Sequence, residues 1–459
     1  MNKPVGRLFV LVVVLFAVLV GFTSRWTVFD AQALRENPAN HRILLQEERI
    51  KRGVIRAADG SALAVSRPIG QGRYARRYPT SDLFAHPVGF FSIDRGRVGL
   101  EDSYNDALSG RETTAIGAIS RLLGPQDEGD DLKTTLSPAG QKAAYAGLNG
   151  RAGAVVALDV HSGAVRVMAA TPSFDPNDPK NASTFNRATQ GRYPPGSTFK
   201  TVTAAAALDS GRYTPNSTLD GHSPQTISGA PLSNFGGEQF GQVDLTTALT
   251  NSINTVWAQV GVHVGKATMA DYMRKFGFYA DPPMDYPGRQ MLPSGEYRNG
   301  RLLPPTSQFI DVGRMAIGQD KLLVTPLQMA TVAQTIGNGG VRMEPRIVER
   351  VIDPDGRTVA HPLGKVATRV MSSKAAGELT QMMYRVVNEG TGTAAALSGV
   401  KVAGKTGTAE VDPAAGINDL WFIGFTPKDA VAVVIERAHG TGGPVAGPVA
   451  KQVLQALGG

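Results

Sequence analysis

The sequence predicts an α+β protein: one five-stranded antiparallel sheet with helices at both ends and a helical subdomain inserted into it. A membrane-anchor-like segment and a small β-rich domain precede that unit. Three observations carry the prediction. Two strand-like runs, 155–160 and 164–170, meet at the hairpin signal Ser162-Gly163, and three more, 400–411, 420–425 and 430–436, come late in the chain. Between 172 and 370 stand helical patches and polar loops, with no strand alternation of any length. An unbroken apolar run, 8–22, stands ahead of everything else.

The apolar run is bracketed by Arg7 and Arg25 and followed by Trp26. At about fifteen residues it falls short of the ~20 that cross a bilayer untilted, but snorkelling arginines and the tryptophan extend it. Its best signal-cleavage site, Ala31-Gln32-Ala33, lies too far downstream, so residues 1–26 read as a cytoplasmic tail and an uncleaved anchor. A short tail before a large domain places the bulk on the outer side of the membrane. Residues 27–131 form a second, Arg-rich region. There 54–56, the turn Asp59-Gly60 and 63–65 read as a hairpin, and Gly99-Leu100-Glu101 opens a short helix. The acidic, turn-rich stretch 124–131 reads as a linker into the last domain, 132–459. Within that domain Ser137-Pro138 starts a helix through 148, Thr325-Pro326 starts another ending at 337–340, and Gly447-Pro448 starts a last one, 448–457.

Composition narrows the chemistry. Lys+Arg number 47 against 39 Asp+Glu, a formal +8, but the cations are scattered apart from Arg49, Lys51, Arg52 and Arg56. No aromatic residues interleave with them as a nucleic-acid groove requires, so no nucleic-acid partner is expected. Cysteine is absent, which removes disulfides, thiolate catalysis and cysteine metal sites. The seven histidines are dispersed, so neither a metal nor a cofactor is expected.

Tyr193-Pro194-Pro195-Gly196-Ser197-Thr198-Phe199-Lys200 is the centre of the functional reading. Two prolines hold the chain extended, Gly196 turns it, and Ser197 opens a helix over the apolar run that follows. Positions i and i+3 share a helix face, which sets the Ser197 hydroxyl beside the Lys200 amine: a nucleophile with a candidate base. Downstream, Ser252-Ile253-Asn254 falls between helical patches 245–249 and 256–264. Its hydroxyl and amide suit proton relay and the holding of a peptide carbonyl, although each also caps helices routinely.

Lys405-Thr406-Gly407-Thr408 lies in the strand 400–411. Gly407 weakens a strand unless something must approach its backbone closely, as a peptide-like substrate would, its carboxylate held by Lys405, Thr406 and Thr408. Residues 399–406 also match the phosphate-loop pattern G-x-x-x-x-G-K-[ST]. That loop must lead into a helix, whereas the residues after Thr406 continue a strand.

Ser-x-x-Lys, Ser-x-Asn and Lys-Thr-Gly in this order resemble the penicillin-binding proteins, serine D,D-transpeptidases that cross-link bacterial peptidoglycan. The likeness extends over Gly153-Ala154-Val155-Val156, Asn186-Arg187-Ala188, Gly318-Gln319, Thr325-Pro326-Leu327-Gln328 and Trp421-Phe422-Ile423-Gly424. Anchor, Arg-rich domain and Gly99-Leu100-Glu101 resemble the monofunctional class B group, although the first domain is compact for that group. The resemblance implies a penicillin-binding/β-lactamase-like fold. It implies Ser197, Lys200, Ser252, Asn254 and Lys405 as catalytic residues, and Thr406, Gly407 and Thr408 as substrate-binding ones. Stem peptides, β-lactams, the membrane and a shape–elongation–division glycosyltransferase are the partners it implies. A D,D-carboxypeptidase and a silent penicillin-binding sensor or scaffold share these motifs. A β-lactamase needs a deacylating base, and no Glu-x-x-Leu-Asn stretch occurs between Asn254 and Lys405.

Overall fold

The computed structural model describes residues 3–26, 48–110 and 128–458. Its first element is a single helix, Lys3–Ser24, whose 22 residues include no buried side chain. Because Lys3 to Arg7 and Thr23-Ser24 continue the helix beyond the apolar run, it reaches roughly 33 Å at 1.5 Å per residue. It is long and apolar enough to cross a ~30 Å hydrocarbon layer. The candidate cleavage site at 31–33 lies outside the described residues.

The β-rich part is a six-stranded sheet. Its order is Thr358–Ala360, Val348–Ile352, Asp131–Thr134, Ile55–Arg56, Ala62–Gly70, Arg73–Arg77. The expected hairpin forms, with Ile55 opposite Ala64 and the turn braced by Asp59, which accepts from the amide of Ser61 at 2.9 Å. Asp131–Thr134 runs parallel to Ile55–Arg56 and antiparallel to Val348–Ile352. Thus the expected 131/132 boundary falls inside a strand, and the sheet takes two further strands from far downstream. Residues 124–127 of the expected linker lie outside the described residues.

The second sheet has the five strands expected, all antiparallel. They are ordered Ala403–Asp412, Ile417–Phe425, Asp429–His439, Gly153–Asp159, Val165–Thr171. One row across it reads Gly407, Trp421, Val434, Ala154, Ala170. Alternate residues point to opposite faces. Ala154, Val156, Trp421, Ile423 and Val434 join the core shared with the inserted helices, among them Pro326–Gly337. Val155, Ala157, Phe422, Val431 and Val433 pack on the other face, against Ala446, Val449 and Val453 of the last helix. Both faces are therefore covered, which is why these strands are nearly continuous apolar runs. Each large side chain so buried contributes roughly 1.5–3 kcal/mol.

Two expectations need correction. The last helix is Gly442–Ala456, six residues longer at its start than the Gly447-Pro448 signal implied, with Pro448 inside it. Gly442 and Gly443 begin it because nothing larger fits: a Cβ on Gly442 would lie 2.2 Å from the carbonyl oxygen of Gly407 and 2.3 Å from that of Trp421. Likewise the middle of the chain is not free of strands. It holds short ribbons such as Gln225–Ile227 with Ala230–Leu232 and Thr218–Asp220 with Gln242–Asp244, besides Val348–Ile352. Runs of two to five residues are too short for period-two alternation to register.

Candidate active site

The chain enters the site through Tyr193-Pro194-Pro195, which is tied down on three sides. Tyr193 exchanges backbone hydrogen bonds with Val324 at 3.0 and 2.9 Å, the Trp421 indole donates to the carbonyl of Pro194 at 2.9 Å, and Gly196 donates to that of Gly318 at 3.0 Å. Gly196 then adopts φ +51°, with Thr408 and Gly318 so close that neither it nor Gly318 has room for a side chain. A 3₁₀ turn, Gly196–Phe199, carries Ser197, and the α-helix proper starts three residues later than expected from the motif's serine, at Lys200–Asp209. Ser197 is half-buried and opens onto a cleft of about 570 Å³.

Lys200 is fully buried. Its Nζ donates to the carbonyl of Ser252 at 2.6 Å and to Asn254 Oδ1 at 2.7 Å, and lies 3.1 Å from Ser252 Oγ. The Asn254 amide nitrogen donates to the carbonyl of Ser233 at 3.1 Å, which turns its oxygen toward the lysine. Among the described residues no hydrogen bond joins Ser197 Oγ to Lys200 Nζ; catalytic contacts of this kind commonly tighten only once substrate is bound. Ser252, at φ +60°, occupies the left-handed region that non-glycine residues rarely adopt. That strained turn, between helices Leu245–Thr250 and Asn254–Val264, holds its hydroxyl between two amines.

The second amine is Lys405, also fully buried, 3.0 Å from Ser252 Oγ and 3.1 Å from the carbonyl of Thr406. Burial holds Lys200 well below the usual lysine range, and the neighbouring charge of Lys405 lowers it further. Burial alone brings Lys405 down to about 7. A neutral amine has two N–H donors and one lone pair. The carbonyl of Ser252 and Asn254 Oδ1 take the two donors of Lys200, and its lone pair is left for a hydroxyl.

Thr406 shares a 2.7 Å hydrogen bond with Thr391, and Thr408 accepts from the amide of Gly442 at 3.1 Å. Gly407 departs from the expectation of a substrate pressed on its backbone. Its Cβ position is filled by the nucleophile turn itself, Pro195 O at 2.7 Å and Thr198 Cγ2 at 2.9 Å. The strand then runs on to Asp412, so no helix follows the phosphate-loop pattern. All eight residues singled out in the sequence meet at or beside this cleft.

The opposite wall was not legible. Asn234 accepts from Thr255 and donates to the carbonyls of Gly221 and Glu238, while Arg314 donates to Pro231 O at 3.0 Å. These fix the loop that carries Phe235 over the cleft. A polar loop with paired glycines was its one signal. Chemically, a cleft-facing hydroxyl three positions before a deprotonatable buried amine, with a second hydroxyl between two lysines, is a serine acyl-transfer arrangement.

Comparison with known proteins agrees. The model of the penicillin binding protein transpeptidase domain matches residues 153–455, and that of the penicillin binding protein A dimerisation domain matches 52–132. The chain belongs to the penicillin-binding protein transpeptidase family. It is 33% identical to the peptidoglycan D,D-transpeptidase PbpA of Mycolicibacterium smegmatis and 34% to that of Mycobacterium tuberculosis, over 99% of each chain. Penicillin-binding protein A from M. tuberculosis, solved as a ceftriaxone acyl-enzyme complex, superposes with a TM-score of 0.80 at 31% identity, covering 90% of this chain and 99% of that one.

Proposed function

We propose that the chain is a peptidoglycan D,D-transpeptidase that cross-links stem peptides through an acyl-enzyme on Ser197 and is acylated there by β-lactams. The observation that carries this is the Lys200–Ser252–Lys405 chain of contacts at the cleft onto which Ser197 opens. Neutral Lys200 takes the Ser197 proton as Oγ attacks the carbonyl carbon of the penultimate D-Ala. Amides of Ser197 and Thr408 hold the oxyanion, each such donor being worth about 3–4 kcal/mol. As the C–N bond breaks, a proton reaches the leaving amine through Ser252, and free D-Ala departs with its carboxylate released from Lys405, Thr406 and Thr408. An amine of a second stem then attacks the ester, loses its proton to Lys200, and Ser197 recovers its own.

Residues 1–26 then serve as a single-pass anchor, 27–131 as a non-catalytic platform and 132–459 as the transpeptidase, held on the outer side of the membrane. A shape–elongation–division glycosyltransferase is the partner that would supply nascent glycan. The test is labelled penicillin on the full-length protein in detergent: stoichiometric, stable labelling of wild type and none of Ser197→Ala. Rapid turnover of the drug, or labelling that survives the substitution, would overturn the reading. A pentapeptide offered with an acceptor amine then distinguishes cross-linking from hydrolysis.

A further inference from the structure

The cleft continues past the reacting centre along a free sheet edge. Ala403–Asp412 is the outermost strand of its sheet, so one side of it has no strand partner, although the carbonyl of Thr406 accepts from Lys405 Nζ at 3.1 Å. On such a strand Thr406, Thr408 and Glu410 share one face, and all three line the cleft. Glu410 is exposed, and among the described residues its carboxylate makes no ion pair and no side-chain hydrogen bond. Edge strands are where extended peptides add themselves as a further strand.

The proposed reaction fixes which way a peptide lies there. Its terminal carboxylate sits at Lys405 and Thr406, and its scissile carbonyl sits at the amide of Thr408. The residues before the D-Ala–D-Ala pair must therefore run on toward Glu410, about one strand step of two residues, near 7 Å, beyond Thr408. Stem peptides act both as acyl donor and as acceptor, so a donor stem carries the same amine that the acceptor uses. From this register we infer that Glu410 is a specificity-determining residue, pairing with a cationic side chain on the residue immediately before D-Ala–D-Ala in the donor. The inference rests on the transpeptidase reading above. An acid on a free edge also discourages edge-to-edge association, but that role predicts no discrimination among peptides.

The experiment uses full-length protein in detergent and two pentapeptides ending in D-Ala–D-Ala. One has lysine at the third position, the other Nε-acetyl-lysine. The readout is the ratio of kcat/KM for D-Ala release, taken within each variant so that any loss of folded protein cancels. Wild type should favour the cationic peptide by about threefold to fivefold at low salt, as expected for an exposed ion pair, and less at high salt. Glu410→Gln should bring the ratio near one, and Glu410→Lys should invert it. A wild-type ratio near one, or a preference that persists in both variants, overturns the inference. Failure of wild type to be acylated by penicillin would instead overturn the reading on which it rests.

Discussion

Two buried charge clusters in this molecule are built on opposite plans. In the N-terminal region Glu101, fully buried, receives Arg76 Nε at 2.6 Å and Arg52 at 3.0 Å, and Arg52 also donates to Asn105 at 2.9 Å. Burial pushes that carboxyl up, but the charges of Arg76 and Arg52 outweigh it and hold the group below its ordinary value. Around Ser252 the reverse holds: two buried amines face one hydroxyl, two backbone carbonyls and an amide oxygen, and among the described residues no carboxylate is bonded to either. Neutralisation by partners gives a fixed scaffold. Neutralisation by proton loss gives a base.

The comparison breaks most sharply at Lys200. Lys200→Arg keeps a cation of similar reach but one that does not deprotonate in proteins, so acylation by penicillin should fall by about 10²–10⁴-fold. Rapid-mixing kinetics with a fluorescent penicillin measure it. A tenfold loss or less would mean that the lysine positions groups rather than accepting a proton. At the other cluster, Glu101→Gln removes the buried carboxylate that Arg76 and Arg52 share and should cost about 3–5 kcal/mol of stability. Calorimetry should show an early transition while acylation of the protein that remains folded is retained. Glycine packing gives a smaller effect. Gly442→Ala forces a methyl against the carbonyls of Gly407 and Trp421 and should cost about 1–3 kcal/mol, with slower acylation because the same strand carries Thr408.

What could be read in advance follows from the same physics. The five-stranded sheet was legible because its strands are long and buried on both faces, so 155–160 and 430–436 appear as apolar runs. The eight site residues were legible because their short motifs combine hydroxyls with lysines in a fixed order. The wall around Asn234 and Arg314 was not, because its bonds join side chains to distant backbone carbonyls, and no local spacing records such partners. The start of the last helix at Gly442-Gly443, ahead of the Gly447-Pro448 signal, was not legible because sequence does not distinguish a glycine needed for a turn from one needed for contact with Gly407 and Trp421. Asp131–Thr134 was taken for the edge of a linker because its partners, Ile55–Arg56 and Val348–Ile352, lie far away in sequence.

The two clusters should also respond to opposite ends of the pH scale. A lysine whose folded value is lowered is protonated in the unfolded chain and neutral in the folded one between those two values, so the unfolded state binds the extra proton there. Stability then rises with pH. For Lys405 the window runs from about 7 to the ordinary 10.5. Each such lysine adds a slope of up to about 1.4 kcal/mol per pH unit within its window. For Glu101 the folded value is lowered from 4.5, so its contribution is complete above that pH and is lost as pH falls below it. Denaturant melts of the full chain from pH 7 to 9 should therefore gain stability, and Lys405→Met should flatten that gain. Melts below pH 4.5 should lose stability in wild type, with a shallower loss in Glu101→Gln. If Lys405→Met leaves the alkaline gain intact, Lys405 is not its source, and the contrast between a paired scaffold and a proton-losing site fails at that lysine.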